Sequence, residues 1–190
     1  VMPEQTLSHP LVDIVVDGEG DYTMLELLDC LSAKRSLVHV PGILYKDGAE
    51  IVKTLPRELC NVEELLPVPW ELVDVEKYIH RDMYIRNRFR VLDIGQTSRG
   101  CPFSCAFCSS ASIRDRQWRA QSLERVMDDL QGAIRRFRLD GWWWRDDEFY
   151  IKRKRANEIF EAIVRAGIDG SWYTSGTRCD VFGRATEDEV

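Results

Sequence analysis

The second half of the chain alternates between short apolar runs and longer amphipathic stretches. Apolar and aromatic runs at 91–94, 141–144 and 171–174 predict three strands. Between them, apolar side chains recur at helical spacing over 122–138 and 152–166, which predicts two amphipathic helices. Strands and helices in this order predict an α/β fold in which right-handed crossovers join the strands of a parallel sheet.

The first half of the chain carries shorter signals. A β-branched run at 11–16 precedes a glycine-rich turn and predicts a strand, and apolar spacing over 22–31 predicts a helix. The dipeptide Asp47-Gly48 lies between two apolar segments and predicts a β-hairpin.

Two prolines mark the segment that joins the two halves. Pro67 and Pro69 exclude a helix interior and a central strand around them, because each removes a backbone donor. We therefore expect 54–90 to be an irregular connector with a short helix around 73–78.

Composition and charge narrow the classes of protein. The 190 residues are 44% hydrophobic and 31% charged, a globular balance. A net charge of −6 offers no basic field for nucleic acid, and the chain has no apolar run long enough to span a bilayer. The first residues do not resemble a secretory signal, so we expect a cytoplasmic protein.

The six cysteines are unevenly distributed. Cys101, Cys105 and Cys108 fall within eight residues, whereas the other three are scattered. Such a cluster in a chain without a secretion signal predicts a metal site in a reducing compartment.

The spacing of this cluster restricts what it can hold. A structural zinc site normally has four protein ligands, and the nearest other cysteine, Cys60, is 41 residues away. Three thiolates on a four-iron cube leave one iron open to a small molecule. Ordinary buried cysteines, zinc and a ferredoxin-type cluster are the alternatives.

The motif Cys101-x₃-Cys105-x-Phe107-Cys108 resembles the hallmark of the radical S-adenosylmethionine enzymes, in which an aromatic residue precedes the third cysteine. The resemblance implies that the three cysteines hold a [4Fe–4S] cluster whose open iron binds S-adenosylmethionine. It also implies reductive cleavage of that cofactor to a 5′-deoxyadenosyl radical. Phe107 would pack beside the adenine; simple core packing also explains this residue, and the two roles are compatible.

Other segments resemble the branch of this family that carries a cobalamin-binding domain. The resemblance implies a partial (β/α) TIM-like barrel, preceded by a linker and the tail of a Rossmann-like cobalamin domain. The implied divisions are 1–40 for that tail, 41–90 for the hairpin and linker, and 91–190 for the first half of the barrel. The resembling segments are 15–21, 41–70, 94–101 and 141–155.

Two features depart from the branch. Its Asp-x-His-x-x-Gly cobalamin signature is absent, and three strand–helix units stand where the family has six barrel strands. The sequence is therefore expected to be a segment of a longer enzyme and a poor catalyst alone. Cobalamin is expected, if at all, in the full-length protein.

Polar residues after the second and third barrel strands are candidates for holding S-adenosylmethionine. By the resemblance, Asp146 and Asp147 contact its methionine ammonium, although an acidic helix N-terminus explains them as well. Arg178 would reach the carboxylate or the ribose, or be an ordinary exposed arginine. Ser175 is a weaker candidate.

Two conspicuous runs have simpler interpretations. Trp142, Trp143 and Trp144 are expected to pack mainly in the core, because alternate side chains of a barrel strand point to opposite sides. The basic run 152–155 is expected to be a solvated helix start rather than a nucleic-acid patch.

The resulting expectation is a radical enzyme. The branch performs methyl transfer, ring formation or rearrangement on natural-product, lipid or tetrapyrrole substrates. Its expected partners are a small-molecule substrate and an electron donor such as flavodoxin or ferredoxin. A non-catalytic iron–sulfur or electron-transfer module is the alternative.

Overall fold

Two three-stranded sheets organise the chain in a computed structural model that describes residues 2–80, 90–110 and 116–182. The sheets belong to separate compact units. Unit 1 comprises Val1–Asn61 and Pro102–Arg116, and unit 2 comprises Val62–Cys101 and Gln117–Val190.

The sheet of unit 1 is antiparallel, in the order β1-β2-β3. Its strands are β1 (Ile14–Val16), β2 (Ile43–Asp47) and β3 (Glu50–Lys53). Gly48, with φ +61°, turns the chain between Asp47 and Glu50, so the predicted hairpin is confirmed. The first strand begins at Ile14 rather than at Leu11, because a turn with Val12 N–H donating to His9 O occupies those residues.

Two helices accompany this sheet. Helix α1 (Pro3–Leu7) was not apparent from the sequence, whereas α2 (Asp21–Ser32) matches the predicted helix within one residue at each end. Helix α2 buries Thr23 and Leu27 and leaves several apolar side chains exposed. The exposed ones are Met24, Leu25, Leu28 and Leu31.

The sheet of unit 2 is parallel, as the sequence predicts. Strands β4 (Val91–Gly95), β7 (Gly141–Trp144) and β8 (Ser171–Thr174) lie in the order β4-β7-β8. Val91 aligns with Gly141, which aligns in turn with Ser171. Parallel strands in this register end at the same edge of the sheet, so the loops that follow them are neighbours.

Both crossover helices form close to their predicted ranges. Helix α3 (Leu123–Phe137) begins after Ser122, whose Oγ accepts from Arg125 N–H at 3.1 Å and confirms the expected N-cap. Helix α4 (Arg153–Arg165) follows β7. The two helices form one core with alternate residues of β7: Val126, Met127, Leu130, Trp142, Trp144, Phe149, Ala156, Ile159 and Ile163.

Short elements complete the described part of unit 2. Strands β5 (Ser98–Arg99) and β6 (Arg119–Ala120) pair as a short antiparallel ribbon. Helix α5 (Cys179–Phe182) follows β8. The connector contains 3₁₀ turns at Trp70–Leu72 and Val75–Lys77, where a short helix was expected. Within the described residues, no helix combines the length and the apolar character that crossing a membrane requires.

Candidate functional site

Three consecutive carboxylates follow β7 at the carboxyl edge of the parallel sheet. They are Asp146, Asp147 and Glu148, and each accepts a backbone N–H from a segment distant in sequence. Asp146 and Glu148 are buried and Asp147 is half-buried. A buried carboxylate is stabilised only when hydrogen bonds replace its hydration, and all three are so engaged.

Asp146 holds the residues that lead from β4 into β5. Its Oδ2 accepts from Thr97 N–H at 3.1 Å, and its Oδ1 accepts from the hydroxyls of Thr97 and Ser98 at 2.8 Å and 2.5 Å. Burial raises the pKa of Asp146 above its usual value, and these hydrogen bonds and the Arg155 charge partly oppose the rise.

Arg155, from α4, also binds the segment between β4 and β5. Its guanidinium donates to the carbonyl oxygen of Thr97 at 2.8 Å and to Thr97 Oγ1 at 3.2 Å. It also donates to the carbonyl oxygen of Gln121 at 3.2 Å. Thr97 is therefore bound at its amide, carbonyl and hydroxyl groups, and the start of the cysteine loop is fixed.

Asp147 holds the glycine that precedes the first cysteine. Its Oδ2 accepts from Gly100 N–H at 2.8 Å. Gly100 has φ +86°, and a Cβ atom at this position would overlap the carbonyl oxygen of Gln117 on the returning chain. Glycine is therefore required here, both for its backbone conformation and for the close approach of the two segments.

Glu148 accepts hydrogen bonds from the backbone of the loop after β8, as Asp146 and Asp147 do from the segment after β4. It accepts from Arg178 N–H at 2.8 Å and from Tyr150 N–H at 3.1 Å. Burial raises the pKa of Glu148, while these hydrogen bonds oppose the rise. Gly176, at φ +76°, lies against the carbonyl oxygen of Asp147 with no room for a Cβ atom, so the two loops are packed together.

The sheet face opposite α3 and α4 carries a cluster of aromatic and charged side chains. Asp93, Trp143 and Tyr173 occupy one register row across the three strands. The Arg145 guanidinium lies 3.4 Å from the centre of a Trp143 ring and pairs with Asp93 at 2.5 Å. Tyr173 meets Trp143 edge to face at 4.7 Å, so this row is an ordered surface.

The predicted core packing of the tryptophans holds for two of the three. Trp142 and Trp144 are 0% and 2% exposed and lie in the core with α3 and α4. Trp143 is half-buried and points to the opposite face, as the alternation of a strand requires.

All six cysteines are present as thiols. Cys101 is half-buried in unit 2, while in unit 1 Cys105 is half-buried and Cys108 exposed. Within unit 1, Cys108 N–H donates to the carbonyl oxygen of Cys105 at 3.0 Å, and Ser110 N–H lies 3.5 Å from Cys108 Sγ. The loop thus turns sharply between its last two cysteines and directs a backbone donor at one sulfur.

The cysteine loop fits an iron–sulfur cluster through its donor chemistry. Three thiols with this spacing supply the soft ligands that such clusters take. Within residues 2–80, 90–110 and 116–182, no three Cys, His, Asp or Glu side chains already lie together as a metal-binding group. The fit therefore rests on ligand type and spacing.

Phe107, between the last two cysteines, is 93% exposed. It therefore contributes to no core of unit 1, and the core-packing interpretation does not apply. Its contact with adenine remains a prediction.

The remaining predicted ligands lie in the loop after β8. Ser175 N–H donates to the carbonyl oxygen of Trp144, which ties it to the end of β7. The guanidinium of Arg178 pairs with Asp180 at 2.9 Å, while its backbone N–H is held by Glu148. The structure thus places Ser175 and Arg178 beside the carboxylates, and their contacts with a cofactor remain predictions.

Sequence reasoning missed the partners of the carboxylates. Thr97 and Ser98 lie 49 and 48 residues from Asp146, and no local spacing links them. Arg155 belongs to the basic run for which the sequence predicts a solvated helix start, whereas its guanidinium binds the backbone of Thr97 and Gln121. The one usable signal was a run of three acids directly after a buried strand, where burial demands hydrogen-bond partners.

The glycine-rich turn after β1 also has a structural partner. Glu19 Oε2 accepts from Cys60 N–H at 3.1 Å and lies 3.0 Å from Cys60 Sγ. The turn therefore anchors the start of the connector within unit 1.

In unit 2, the first strand of the parallel sheet leads towards Cys101, the first cysteine of the motif. The chain is homologous to the cobalamin-associated branch of these enzymes. It has a mixed α/β fold that matches a solved member. No family model matches the chain.

Individual relatives show the extent of the similarity. An uncharacterised methyltransferase of Pyrococcus horikoshii is 35% identical over 182 residues, which are 95% of this chain and 38% of that protein. The hopanoid C-3 methylase of Methylococcus capsulatus is 34% identical over 177 residues, 93% of this chain and 32% of the methylase. The chain thus spans about a third of the length of these relatives.

A solved structure extends the comparison to the fold. The cobalamin-dependent S-adenosylmethionine radical enzyme OxsB, in its apo form, superimposes with a TM-score of 0.71 at 26% identity. The match covers 98% of this chain and 26% of that one.

Proposed function

We propose that this chain is the cluster-binding part of a radical S-adenosylmethionine enzyme. One observation carries the proposal: Gly100, which precedes the first cysteine of the motif, is fixed at the carboxyl edge of a parallel sheet by Asp147. In parallel α/β barrels this edge carries the active site. Homology to enzymes of this class supports the same function.

In the proposed site, Cys101, Cys105 and Cys108 hold a [4Fe–4S] cluster. When bound, the cluster supplies one electron to the sulfonium of S-adenosylmethionine, which gives methionine and a 5′-deoxyadenosyl radical. The carboxylate of Asp147 would bind the methionine ammonium, and its half-buried position at the edge of the sheet supports this assignment. The exposed ring of Phe107 would pack beside the adenine, and Ser175 and Arg178, in the loop after β8, would supply further polar contacts to the cofactor.

The proposed chemistry of the whole protein is cobalamin-assisted methyl transfer, or ring formation or rearrangement. Its proposed substrates are natural products, lipids or tetrapyrroles, and a flavodoxin or ferredoxin would supply electrons. Two of the relatives described above are named as a methyltransferase and a methylase, and OxsB is named as cobalamin-dependent. These names favour methyl transfer.

We extend the proposal to the fold. Residues 91–190 would be the first half of a radical S-adenosylmethionine barrel, 41–90 a hairpin and linker, and 1–40 the tail of a cobalamin-binding domain. The parallel order β4-β7-β8, with both crossover helices on one face, supports the barrel part of this proposal.

Anaerobic reconstitution tests the cluster directly. The chain should bind about four irons and four sulfides and turn brown, as a cubane cluster does. Cys101→Ala, Cys105→Ala or Cys108→Ala should each abolish the colour. The matched controls Cys30→Ala and Cys179→Ala, which change cysteines outside the motif, should retain it.

Cofactor cleavage separates the enzyme from a passive cluster carrier. With dithionite and S-adenosylmethionine, the reconstituted chain should release 5′-deoxyadenosine. Reduction of the cluster without cleavage would favour an electron-transfer module instead. Stoichiometric zinc in protein purified without oxygen would overturn the cluster assignment.

A further inference from the structure

Asp146 and Asp147 hold three of the four residues that precede Cys101. Asp146 binds Thr97 and Ser98, and Asp147 binds Gly100. All of these bonds run from the loop after β7 to the segment between β4 and Cys101. They therefore fix a segment that is distant in sequence, rather than the turn that contains the two carboxylates.

The geometry at Gly100 explains why such fixation matters. Gly100 adopts φ +86° and lies against the backbone of Gln117 on the returning chain. Glycine reaches many backbone conformations at similar free energy, so its native conformation needs an external constraint. The bond from its N–H to Asp147 Oδ2 is such a constraint, one residue before a cysteine of the motif.

We propose that Asp146 and Asp147 are positioning residues that set the direction in which Cys101 leaves the sheet. The inference rests on the proposed function, since it concerns the loop that would hold the cluster. Asp147 acts on Gly100 through an acceptor oxygen, and this role requires no negative charge. The predicted contact between Asp147 and an ammonium group does require the charge, and substitution separates the two roles.

The first experiment uses the full chain without any cluster. Asp147→Ala removes the acceptor, and amide exchange at Gly100 should become on the order of tenfold faster, since hydrogen bonds to charged groups are among the stronger ones. Asp147→Asn keeps an acceptor oxygen and should restore exchange to within about threefold of the wild type. Unchanged exchange at Gly100 in Asp147→Ala would overturn the proposal.

Asp140 supplies a matched control at the other end of the same strand. It precedes β7, and its Oδ1 accepts from Arg90 N–H at 2.8 Å, the same kind of bond as that between Asp147 and Gly100. Asp140→Ala should accelerate exchange at Arg90 and leave Gly100 unchanged. If it accelerates Gly100 equally, the effect of Asp147→Ala is general destabilisation and the proposal fails.

The second experiment follows cluster uptake. After anaerobic reconstitution, Asp147→Ala should contain at most half the iron of the wild type, or show an altered electron paramagnetic resonance spectrum. Asp147→Asn should match the wild type in both. If Asp147→Asn keeps the cluster but cleaves S-adenosylmethionine poorly, the positioning role is supported and the charge is assigned to the cofactor.

The two proposals can fail separately. If the wild-type chain takes up no iron and sulfide, the proposed function falls, whereas the exchange data still decide whether Asp147 constrains Gly100. If the wild type takes up the cluster and Asp147→Ala matches it in iron content, spectrum and exchange, only the positioning role is overturned.

Discussion

At the scale of single residues, burial disfavours the ionised form of the Asp146 carboxyl group. It is 1% exposed, and removal from water disfavours the charged form more than its hydrogen bonds and the Arg155 charge favour it. Its pKa is therefore raised on folding. A group of this kind stabilises the fold most when it is protonated.

The pH dependence of stability should report this carboxylate. Below the unfolded-state pKa of about 3.8, the contribution of Asp146 is fully present, and it is lost as the pH rises through the raised pKa of the folded state. Asp146→Asn cannot titrate. The variant should therefore gain stability relative to the wild type as the pH rises through that window, measured by urea unfolding at a series of pH values.

Glu63 supplies a control, because its pKa is shifted in the opposite direction from that of Asp146. Hydrogen bonds from Ser122 lower its pKa below 4.5, so it stabilises the fold above that pH and loses the contribution as the pH falls through the lowered pKa. The stability of Glu63→Gln relative to the wild type should accordingly increase as the pH falls. A stability difference between Asp146→Asn and the wild type that does not vary with pH would contradict the burial argument.

At the scale of elements, strand β7 divides its aromatic side chains between two faces. Trp142 lies in the core under α3 and α4, while Trp143 lies on the other face beside Arg145 and Tyr173. The same residue type therefore occupies two environments at neighbouring positions. This pair gives an internal comparison of core burial with surface contact.

Alanine substitution should separate the two environments. Trp142→Ala leaves a cavity in the core and should lower the free energy of unfolding by about 3–5 kcal/mol. Trp143→Ala removes the aromatic contact with Tyr173 and the cation–π contact with Arg145, and should cost about 1–2 kcal/mol. Urea unfolding monitored by circular dichroism measures both, and equal costs would contradict the division of faces.

Periodic patterns allowed the larger elements to be predicted from sequence. Helix α3 begins and ends within one residue of its predicted range, and β8 matches at both ends, because each buries a regular stripe or run of side chains. The β5–β6 ribbon has two residues in each strand, too few for any periodicity. Its position depends on Asp146, Asp147 and Arg155, which bind its first strand and the residues beside it from elsewhere in the chain.

The candidate site was predictable only where its chemistry is local. The cysteine motif is contiguous, so its ligand type and spacing could be identified from the sequence. The hydrogen-bond partners of Asp146 could not be identified in this way, because they depend on which distant residues the fold places beside it. Its partner Thr97 is brought there by the parallel register of β4 and β7.

At the scale of the whole molecule, unit 1 presents an apolar surface on α2. Met24, Leu25, Leu28 and Leu31 lie along one side of the helix and are 43–59% exposed. The face next to this stripe carries Leu27, which is 4% exposed and packs with Val40 and Ile43. An exposed apolar stripe of this kind favours self-association in solution.

Lysine in place of the exposed Leu28 and of the buried Leu27 should therefore have different consequences. Leu28→Lys places a charge in solvent, should change the free energy of unfolding by no more than about 0.5 kcal/mol, and should reduce self-association. Leu27→Lys forces an ammonium group into the core and should abolish cooperative unfolding, because an unpaired buried charge is strongly destabilising. Sedimentation velocity and binding of a hydrophobic dye measure association, and thermal unfolding measures stability. If Leu28→Lys destabilised the chain as strongly as Leu27→Lys, the exposed side of α2 would have to be a packed one, and the surface described for unit 1 would be wrong.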